Sequence, residues 1–516
     1  MNKKSGANTA AVIEIGSNTV RMRVSQLTKG ELSTLDSLEY PVRLGYDVFE
    51  TGNISFESLR ELSAILGKYT SALLSYHIQK PRVISCTALR DAQNRSLAVD
   101  QLRVRNALTV TVLEDSQEKA YLYSEIATKL KEAEFLRPGN SVIAYVGSGS
   151  IGIAVYDGSK ISYFQNISIG ALKLHEILHK MRNSSQDFHT VVEEYLNTIL
   201  NRIAVSEFSI RNLILTGSQI DLVAKLCGAK YAKNVLQFGT KRLSELYDTL
   251  KTLTPEGIAL RYGMKESDAA ILYTAISIYQ AMLRFCPDAE TICAPTADIS
   301  EAVIRCMLSP KADGERTVYF RKSAVACAKT IARQFGCDLS HSQYIRDCSC
   351  LIFDKLKHIH GLDSSKRLIL ELASILHSCG SFVSVRQHNR CTFDLIRGMD
   401  LFGLSRAEVL EVAFISGSIS TNLATESDPD FSRLSNEEKL IISKLAAMFR
   451  MANALDKSHR GKLRGLKISM EEDRVLFKAA VSSDIMLEQW AFSESAQFFK
   501  DVFGISPELS VKFELL

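Results

Sequence analysis

The sequence lacks several features that would direct a protein to a membrane, to the cell exterior or to nucleic acid. No stretch of its 516 residues approaches the ~18 to 20 uninterrupted apolar residues that a membrane-spanning helix needs. The first ten residues, MNKKSGANTA, carry two lysines but no apolar segment of the secretory type behind them. The formal net charge is only +4, which gives no general attraction to nucleic acid or to a membrane surface. We therefore expect a cytoplasmic protein that binds neither.

Cysteine pairs of the CxxC type are also missing. The eleven cysteines are scattered, and only Cys348 and Cys350 lie close together. In a large chain without an export signal, such cysteines are expected to be reduced and mostly buried. With 46% apolar and 23% charged residues the composition is that of a globular protein, and the length predicts three or four domains.

One pattern occurs twice. Residues 11–24, AVIEIGSNTVRMRV, and residues 142–155, VIAYVGSGSIGIAV, both contain an apolar run, a glycine-centred turn and a second run of strand-like alternation. Glycine and small hydroxyl residues in a turn leave backbone N–H groups free to converge on an anion, because no bulky side chain blocks its approach. Each turn alone could equally be a simple hairpin turn. The duplication favours a clamp in which two loops hold one phosphate chain.

Other recognisable segments are spread along the chain. They are YPVRLGYDVFETGNIS (40–55), CTALRDAQN (86–94), SIGALKL (168–174), LILTGSQI (213–220), HSQYIRDCSCLIFDKLKHIHGL (341–362), LELASILHSCG (370–380) and AAMFRMANALDKSH (446–459). Together with the repeat, these segments resemble the exopolyphosphatase / guanosine pentaphosphate phosphatase family, part of the actin, sugar-kinase and Hsp70-like superfamily.

The resemblance implies an α/β fold with four domains. Two RNase H-like (actin-like ATPase) domains, 1–128 and 129–312, would face each other across a cleft and would each begin with one copy of the repeat. A degenerate all-α domain of the HD type, 313–461, and a small α/β domain, 462–516, would follow. The last domain is also expected from its pattern of strand, strand, helix and strand. By resemblance we expect a homodimer.

Family chemistry is the Mg2+-assisted hydrolysis of a terminal phosphoanhydride in polyphosphate or guanosine pentaphosphate. Such a reaction needs loop N–H groups and arginine to neutralise phosphate oxygens. The residues that match the family's phosphate-holding parts are Gly16, Ser17, Asn18, Arg21, Arg90, Gly147, Ser148, Gly149, Ser150 and Gly217. For Arg90, a surface salt bridge is the structural alternative.

The family's carboxylates are where this sequence departs from the pattern. Glu14 replaces the first-loop aspartate and is the candidate Mg2+ ligand, whereas Tyr145 and Gly152 replace two second-loop carboxylates. A phenol with a pKa near ~10 is not a hard-metal ligand at neutral pH. Lys119 lies where the family has the glutamate that positions the attacking water. The neighbouring Glu118 is the candidate catalytic base, although it is equally explained as an acid that stabilises a helix start.

The HD-type segment departs similarly. It keeps His341 and His377, but it has Ser378 and Asn453 where the family has aspartates. In the family's later His-x-His it has Asn389 and Cys391, with His388 one place early. A structural histidine pair is therefore predicted there, and no metal.

Three functions follow from these observations. The main prediction is a divergent phosphoanhydride hydrolase acting through Glu118 and Glu14 with Mg2+. The alternative is a catalytically impaired homologue that binds polyphosphate or guanosine tetra- or pentaphosphate as a sensor. An ATP-dependent kinase or chaperone is least compatible with the family-specific segments. The basic cluster RGKLRGLK (460–467) is explained equally by a solvated linker and by contact with polyphosphate.

Overall fold

The computed structural model describes residues 8–131, 136–181, 188–232, 235–417, 429–471 and 473–513. These residues form sheets covered by many helices, which confirms the predicted α/β class. The chain divides into two compact units, Met1–Ser323 and Ala324–Leu516. The finer division into four domains stays a prediction.

The first sheet has five strands in the order β3-β2-β1-β4-β5. Its strands are β1 Asn8–Ile15, β2 Thr19–Thr28, β3 Glu31–Pro41, β4 Arg82–Ser85 and β5 Val110–Val112. Strand β1 pairs antiparallel with β2 and parallel with β4. Its residues 11–13 and Ile15 are fully buried, as expected for a strand that is covered on both faces. The accompanying helices are α1 Leu44–Thr51, α2 Phe56–Leu74, α3 Thr87–Asp91, α4 Arg95–Asn106 and α5 Asp115–Lys131.

The second sheet has seven strands in the order β10-β11-β12-β9-β6-β7-β8. Its strands are β6 Asn140–Val146, β7 Ile151–Tyr156, β8 Ile161–Ile167, β9 Ile210–Gly217, β10 Lys230–Ala232, β11 Val235–Gly239 and β12 Thr291–Ala294. The helices of this part are α6 Ala171–Met181, α7 Phe188–Leu200, α8 Ile220–Leu226, α9 Thr240–Lys251, α10 Pro255–Tyr262, α11 Glu266–Met282 and α12 Ile299–Leu308.

The two sheets repeat one topology. In each sheet the first strand forms an antiparallel meander with the next two strands and pairs in parallel with the fourth. Each copy of the sequence repeat is the first hairpin of its sheet. We call the two parts the first and the second α/β half.

Helix α12 returns to the first half. Ile299, Val303 and Ile304 pack in one apolar cluster with Val12 and Ile84 of the first sheet. The apolar face of this helix is therefore buried against the first sheet.

The second unit is helical before it ends in a three-stranded sheet. Its helices are α13 Pro310–Gln334, which spans the boundary between the units, α14 Leu339–Lys355, α15 Lys357–His360, α16 Ser365–Leu376, α17 His388–Gly398, α18 Arg406–Gly417, α19 Pro429–Ser432 and α20 Asn436–Ala454. The closing elements are β13 Arg464–Glu471, β14 Arg474–Val481, α21 Met486–Phe503 and β15 Ser506–Phe513. This is the predicted order of strand, strand, helix and strand. None of the described helices is both long and apolar enough to cross a membrane.

Candidate functional site

The first glycine loop, residues 16–18, joins β1 to β2. The amide of Gly16 donates to Thr19 O at 2.9 Å, and a Cβ on Gly16 would lie 2.9 Å from that same oxygen. The carbonyl oxygens of Ser17 and Asn18 accept bonds from the segment that leads into α1. Their amides donate to no protein acceptor in the described part of the chain. This loop therefore offers N–H groups to an anion.

The second loop, residues 147–150, joins β6 to β7 and is fixed by the start of α6. Gly147 donates its amide to Ser150 O at 2.8 Å, and Ser148 O accepts the amide of Leu172 at 3.0 Å. A Cβ on Gly170 would lie 2.3 Å from Gly147 O, so only glycine fits beneath the loop. The amides of residues 148 and 149 have no acceptor among the described residues.

The fold brings the two loops close together. A Cβ on Gly149 would lie 2.2 Å from Thr87 Cγ2 at the start of α3. A Cβ on Gly45 would lie 2.7 Å from Ser17 Cβ and 2.9 Å from Leu172 Cδ2, so the segments behind both loops meet there. The segments around the two loops are therefore in contact within the first unit, and the phosphate clamp stays a prediction.

Gly217 and Arg21 lie at the margins of this site. Gly217 has φ +109°, and a Cβ there would lie 2.2 Å from Val146 O, so close packing on β6 already requires glycine. Arg21 Nε donates to Glu39 Oε2 at 2.7 Å on a half-exposed surface. Phosphate binding by either residue stays a prediction.

Arg90 is buried in a network of acceptors. Its guanidinium donates to Glu118 Oε2 at 3.0 Å, to Leu113 O at 3.0 Å, to Thr87 Oγ1 at 3.0 Å and to Asp115 Oδ1 at 3.2 Å. Its side chain is 10% exposed, so the alternative of a surface salt bridge does not describe it. Burial alone would lower the pKa of Arg90, but the Glu118 and Asp115 carboxylates raise it. Arg90 is a permanent cation beside the second loop.

Lys119, where the family has its glutamate, is fully buried. Its ammonium group lies 2.9 Å from Asp115 Oδ1, 2.9 Å from Ser150 Oγ and 3.6 Å from Glu118 Oε1. Burial alone would lower the pKa of Lys119, but the Glu118 and Asp115 carboxylates outweigh burial and raise it. Burial would likewise raise the pKa of Asp115, and the Lys119 and Arg90 charges lower it instead. Ammonium and carboxylate are therefore both charged at neutral pH.

Glu118, the predicted base, is 5% exposed and lies in the first turn of α5. One carboxylate oxygen accepts from Arg90, and the other faces Lys119. Both oxygens of the Glu118 carboxylate are therefore engaged by cations. Asp115, the fourth charged member of this network, was not among the residues predicted from the sequence. Its spacing of four residues from Lys119 was the available signal, since such pairs share one helix face.

Glu14 does not contact this network directly. Its Oε2 accepts a hydrogen bond from Ser300 Oγ at 2.9 Å, on the helix α12 that returns to the first sheet. Burial, reinforced by the nearby Asp298 carboxylate, raises the pKa of Glu14 to about 7. Glu14 is therefore only partly ionised near neutral pH.

These residues do not fit a divalent metal ion. Mg2+ requires an octahedral set of oxygen ligands. Glu118 and Asp115 are already engaged by Arg90 and Lys119, and Tyr145 cannot replace a carboxylate because burial raises its pKa well above the ordinary value. Within the described ranges, no group of three or more His, Cys, Asp or Glu side chains is arranged to hold a metal. Magnesium stays a prediction drawn from resemblance.

The second unit contains a separate polar cluster around the predicted histidine pair. The rings of His341 and His377 lie 5.3 Å apart, and His341 stacks on His459 at 3.4 Å. His341 Nδ1 lies 2.8 Å from Asp456 Oδ2, and His377 Nδ1 lies 2.9 Å from Ser374 O. Asp456 and His459 were not among the residues predicted from the sequence, although both belong to the segment 446–459 that resembles the family.

The remaining predicted positions of this segment do not complete a ligand set. Ser378 Oγ is buried beside the thiol of Cys337. His388 Nδ1 lies 3.0 Å from Val385 O, on the exposed start of α17. The structure therefore gives the histidines structural contacts with each other and with Asp456.

Comparison with known proteins agrees with the resemblance. Residues 23–305 match the Ppx/GppA phosphatase family, and residues 323–492 match Ppx/GppA phosphatase, domain III. The chain is similar to the guanosine-5'-triphosphate,3'-diphosphate pyrophosphatase of Photobacterium profundum, with 18% identity over 408 residues that cover 77% of this chain and 78% of the relative. The corresponding protein of Aliivibrio fischeri is 19% identical over 409 residues, with the same coverage of both chains.

Among solved structures, an exopolyphosphatase from Cytophaga hutchinsonii has a TM-score of 0.53 and 19% identity, covering 59% of this chain and 98% of that chain. This likeness shows the fold. Because the family match spans more than half of the sequence, the chain belongs to the Ppx/GppA phosphatase family.

Proposed function

We propose that this protein binds the terminal phosphates of polyphosphate or of guanosine tetra- or pentaphosphate in the cleft between its two α/β halves, and that it retains binding in preference to rapid hydrolysis. The observation that carries the proposal is that the segments behind two glycine loops meet, and that the loop amides have no acceptor among the described residues. Arg90 and Lys119 also lie at the second loop, where both are paired with Asp115 and Glu118. Amides and cations together suit a polyanion of closely spaced phosphates.

The lysine at position 119 argues against rapid turnover. A positioned general base contributes ~100- to 10,000-fold to the rate of a hydrolysis, and an ammonium group cannot accept a proton. The adjacent Glu118 is held by Arg90 at 3.0 Å and faces Lys119. Freeing this carboxylate to activate water would require the network to open.

Hydrolysis through Glu118 is the second candidate function. It is favoured by the family and by the names of the relatives, which are pyrophosphatases and an exopolyphosphatase. Glu118 is also the carboxylate nearest in sequence to the family's base, and it lies in contact with Arg90 beside the second loop. In this function the network would open when the phosphate chain draws Arg90 away.

One experiment separates the two functions. Purified protein is mixed with long-chain polyphosphate or guanosine pentaphosphate, and ligand binding and phosphate release are measured in the same samples. Wild type, Glu118→Gln and the exposed control Glu57→Gln are compared. Binding by all three without release supports the proposal. Release that only Glu118→Gln abolishes supports the hydrolase, and absence of binding in wild type refutes both.

A further inference from the structure

The ammonium group of Lys119 occupies a cage of oxygen atoms. It lies 2.9 Å from Asp115 Oδ1, 2.9 Å from Ser150 Oγ and 3.6 Å from Glu118 Oε1. The ring of Tyr145 covers another side, with its centroid 4.8 Å from Nζ. Two carboxylates and a hydroxyl are ligands of the kind that hard divalent cations prefer. In this protein they surround a cation that is covalently part of the chain.

A second substitution makes room for this lysine. A Cβ on Gly152 would lie 2.9 Å from Lys119 Cε and 3.1 Å from its Cδ. It would also lie 2.5 Å from the hydroxyl of Tyr123. Any side chain at 152, including the carboxylate implied by the family pattern, would compete with the lysine stem for the same space. The two departures from the family pattern, Lys119 and Gly152, therefore depend on each other, because the lysine stem occupies the space that a side chain at 152 would fill.

The charges in the cage balance without a further ion. Asp115 and Glu118 supply two negative charges, and Lys119 and Arg90 supply two positive ones, all within ion-pair distance. A divalent ion entering this cluster would have to displace the ammonium group or lie beside it. Both are unfavourable, because like charges repel strongly where water is excluded.

The cage also links the two α/β halves. Asp115 and Lys119 belong to α5 of the first half, and Ser150 belongs to the second loop in the second half. Ser150 Oγ donates to Asp115 Oδ1 at 2.9 Å, so hydroxyl, carboxylate and ammonium form a closed triangle. The loop is thereby tied to α5 without any bound ligand.

We propose that the Lys119 ammonium is a tethered cation that takes the place of a divalent metal ion, so that the two loops bind a phosphate chain without metal. This inference rests on the proposed function, because it concerns the same loops. It predicts a binding site whose charged groups are already paired and positioned. The fixed position of the lysine also keeps the second loop in place before the ligand arrives.

The first test uses the wild-type protein and needs no variant to fold. The affinity for potassium polyphosphate of defined length is measured by calorimetry in the presence of EDTA and in the presence of Mg2+. We expect the two affinities to agree within about twofold. Binding that weakens more than about tenfold in EDTA overturns the tethered cation but leaves the proposed function standing. Absence of binding in both conditions overturns the proposed function, and the inference with it.

The second test reads out the metal alone. Mn2+ is titrated into the protein without phosphate, and bound ion is followed by electron paramagnetic resonance. We expect wild type to bind no Mn2+ at micromolar concentrations, and Lys119→Glu to gain about one ion per chain. The matched control is Lys160→Glu, which changes a partly exposed lysine outside the site. Tight Mn2+ binding by wild type overturns the inference, and circular dichroism checks that Lys119→Glu is folded.

Discussion

Each compact unit contains a polar cluster at a place where the family pattern has carboxylates or a set of histidines and aspartates. The two clusters differ in how they treat charge. The cluster of Arg90, Asp115, Glu118 and Lys119 keeps its charges and pairs them. The cluster around His341 and His377 buries rings, and burial lowers the pKa of His377 to about 3. The first cluster is therefore ionic at neutral pH, whereas His377 is neutral.

The difference follows from the cost of burying charge. A charge can be retained in a low-dielectric site when an opposite charge and hydrogen bonds accompany it. Lys119 has two carboxylates nearby, but His377 has a backbone carbonyl and other histidines as neighbours. With these neighbours, only the uncharged form of the His377 ring is stable.

Replacing Lys119 should disrupt the ionic cluster, and this substitution should have the largest effect on stability. Lys119→Met keeps the apolar stem but leaves Asp115 and Glu118 with Arg90 as their shared partner, so we expect the free energy of unfolding to fall by about 3 to 5 kcal/mol. Urea denaturation measures this loss. The surface ion pair of Lys160 with Asp157 supplies the control, because Lys160→Met should change the stability by about 1 kcal/mol or less. Equal losses in the two variants would contradict the comparison.

The histidine cluster should be the acid-sensitive one. The unfolded chain protonates His377 near pH ~6.5 and the folded chain only near pH 3, so the unfolded state binds the proton first as the pH falls. The neighbouring rings of His341, His459 and His388 also oppose a positive charge on His377 and so lower its pKa. We expect a loss of about 2 to 3 kcal/mol between pH 7 and pH 4.5. His377→Asn, which keeps a donor for Ser374 O, should flatten this slope in denaturant titrations; an unchanged slope would refute the assignment.

A methyl group at position 152 tests whether the ionic cluster needs the space beside the Lys119 side chain. Because the new Cβ would lie 2.5 Å from Tyr123 Oη and 2.9 Å from Lys119 Cε, Gly152→Ala should cost about 1 to 3 kcal/mol and weaken phosphate binding. Thermal unfolding and calorimetry measure the two effects. Gly67→Ala in helix α2, where the nearest atom is 4.0 Å away, is the matched control and should not destabilise the protein. Tolerance at both positions would show that the space is not needed.

The smallest expected effect concerns Glu14, a carboxylate without a paired cation of the Lys119 type. With its pKa raised to about 7, the folded state holds the proton longer than the unfolded state, so stability should fall as the pH rises from about 4.5 to 7. Glu14→Gln keeps the acceptor for Ser300 and should remove about 1 to 2 kcal/mol of this loss. Urea denaturation at pH 5 and pH 8 compares the variant with wild type and with Glu57→Gln. Parallel pH profiles of wild type and Glu14→Gln would contradict the raised pKa.

Much of the fold could be predicted because its signals are local. The apolar run before Gly16 and the alternation after it predict a hairpin, and the structure has β1 and β2 there. The copy at residues 142–155 folds in the same way, and the terminal pattern of strand, strand, helix and strand is found in the predicted order. The conformation of these elements depends on residues that are close in sequence, and hydrophobic periodicity is a pattern of such residues.

The site could be predicted only in part because its contacts are distant. Ser300 reaches Glu14 across 286 positions, and Asp456 reaches His341 across 115. No periodicity spans such distances. The return of α12 to the first sheet brings Ser300 to Glu14.

The sequence by itself determined the family, the α/β class, the two glycine loops and the substitutions at positions 119, 145 and 152. Only the tertiary structure decided what those substitutions do. It places the Lys119 ammonium between Asp115, Glu118 and Ser150, and it leaves space for the lysine stem at Gly152. The physical reason is that a side chain's identity supplies its charge and volume, whereas the energy of a buried charge depends on the partners that the fold brings within hydrogen-bonding distance.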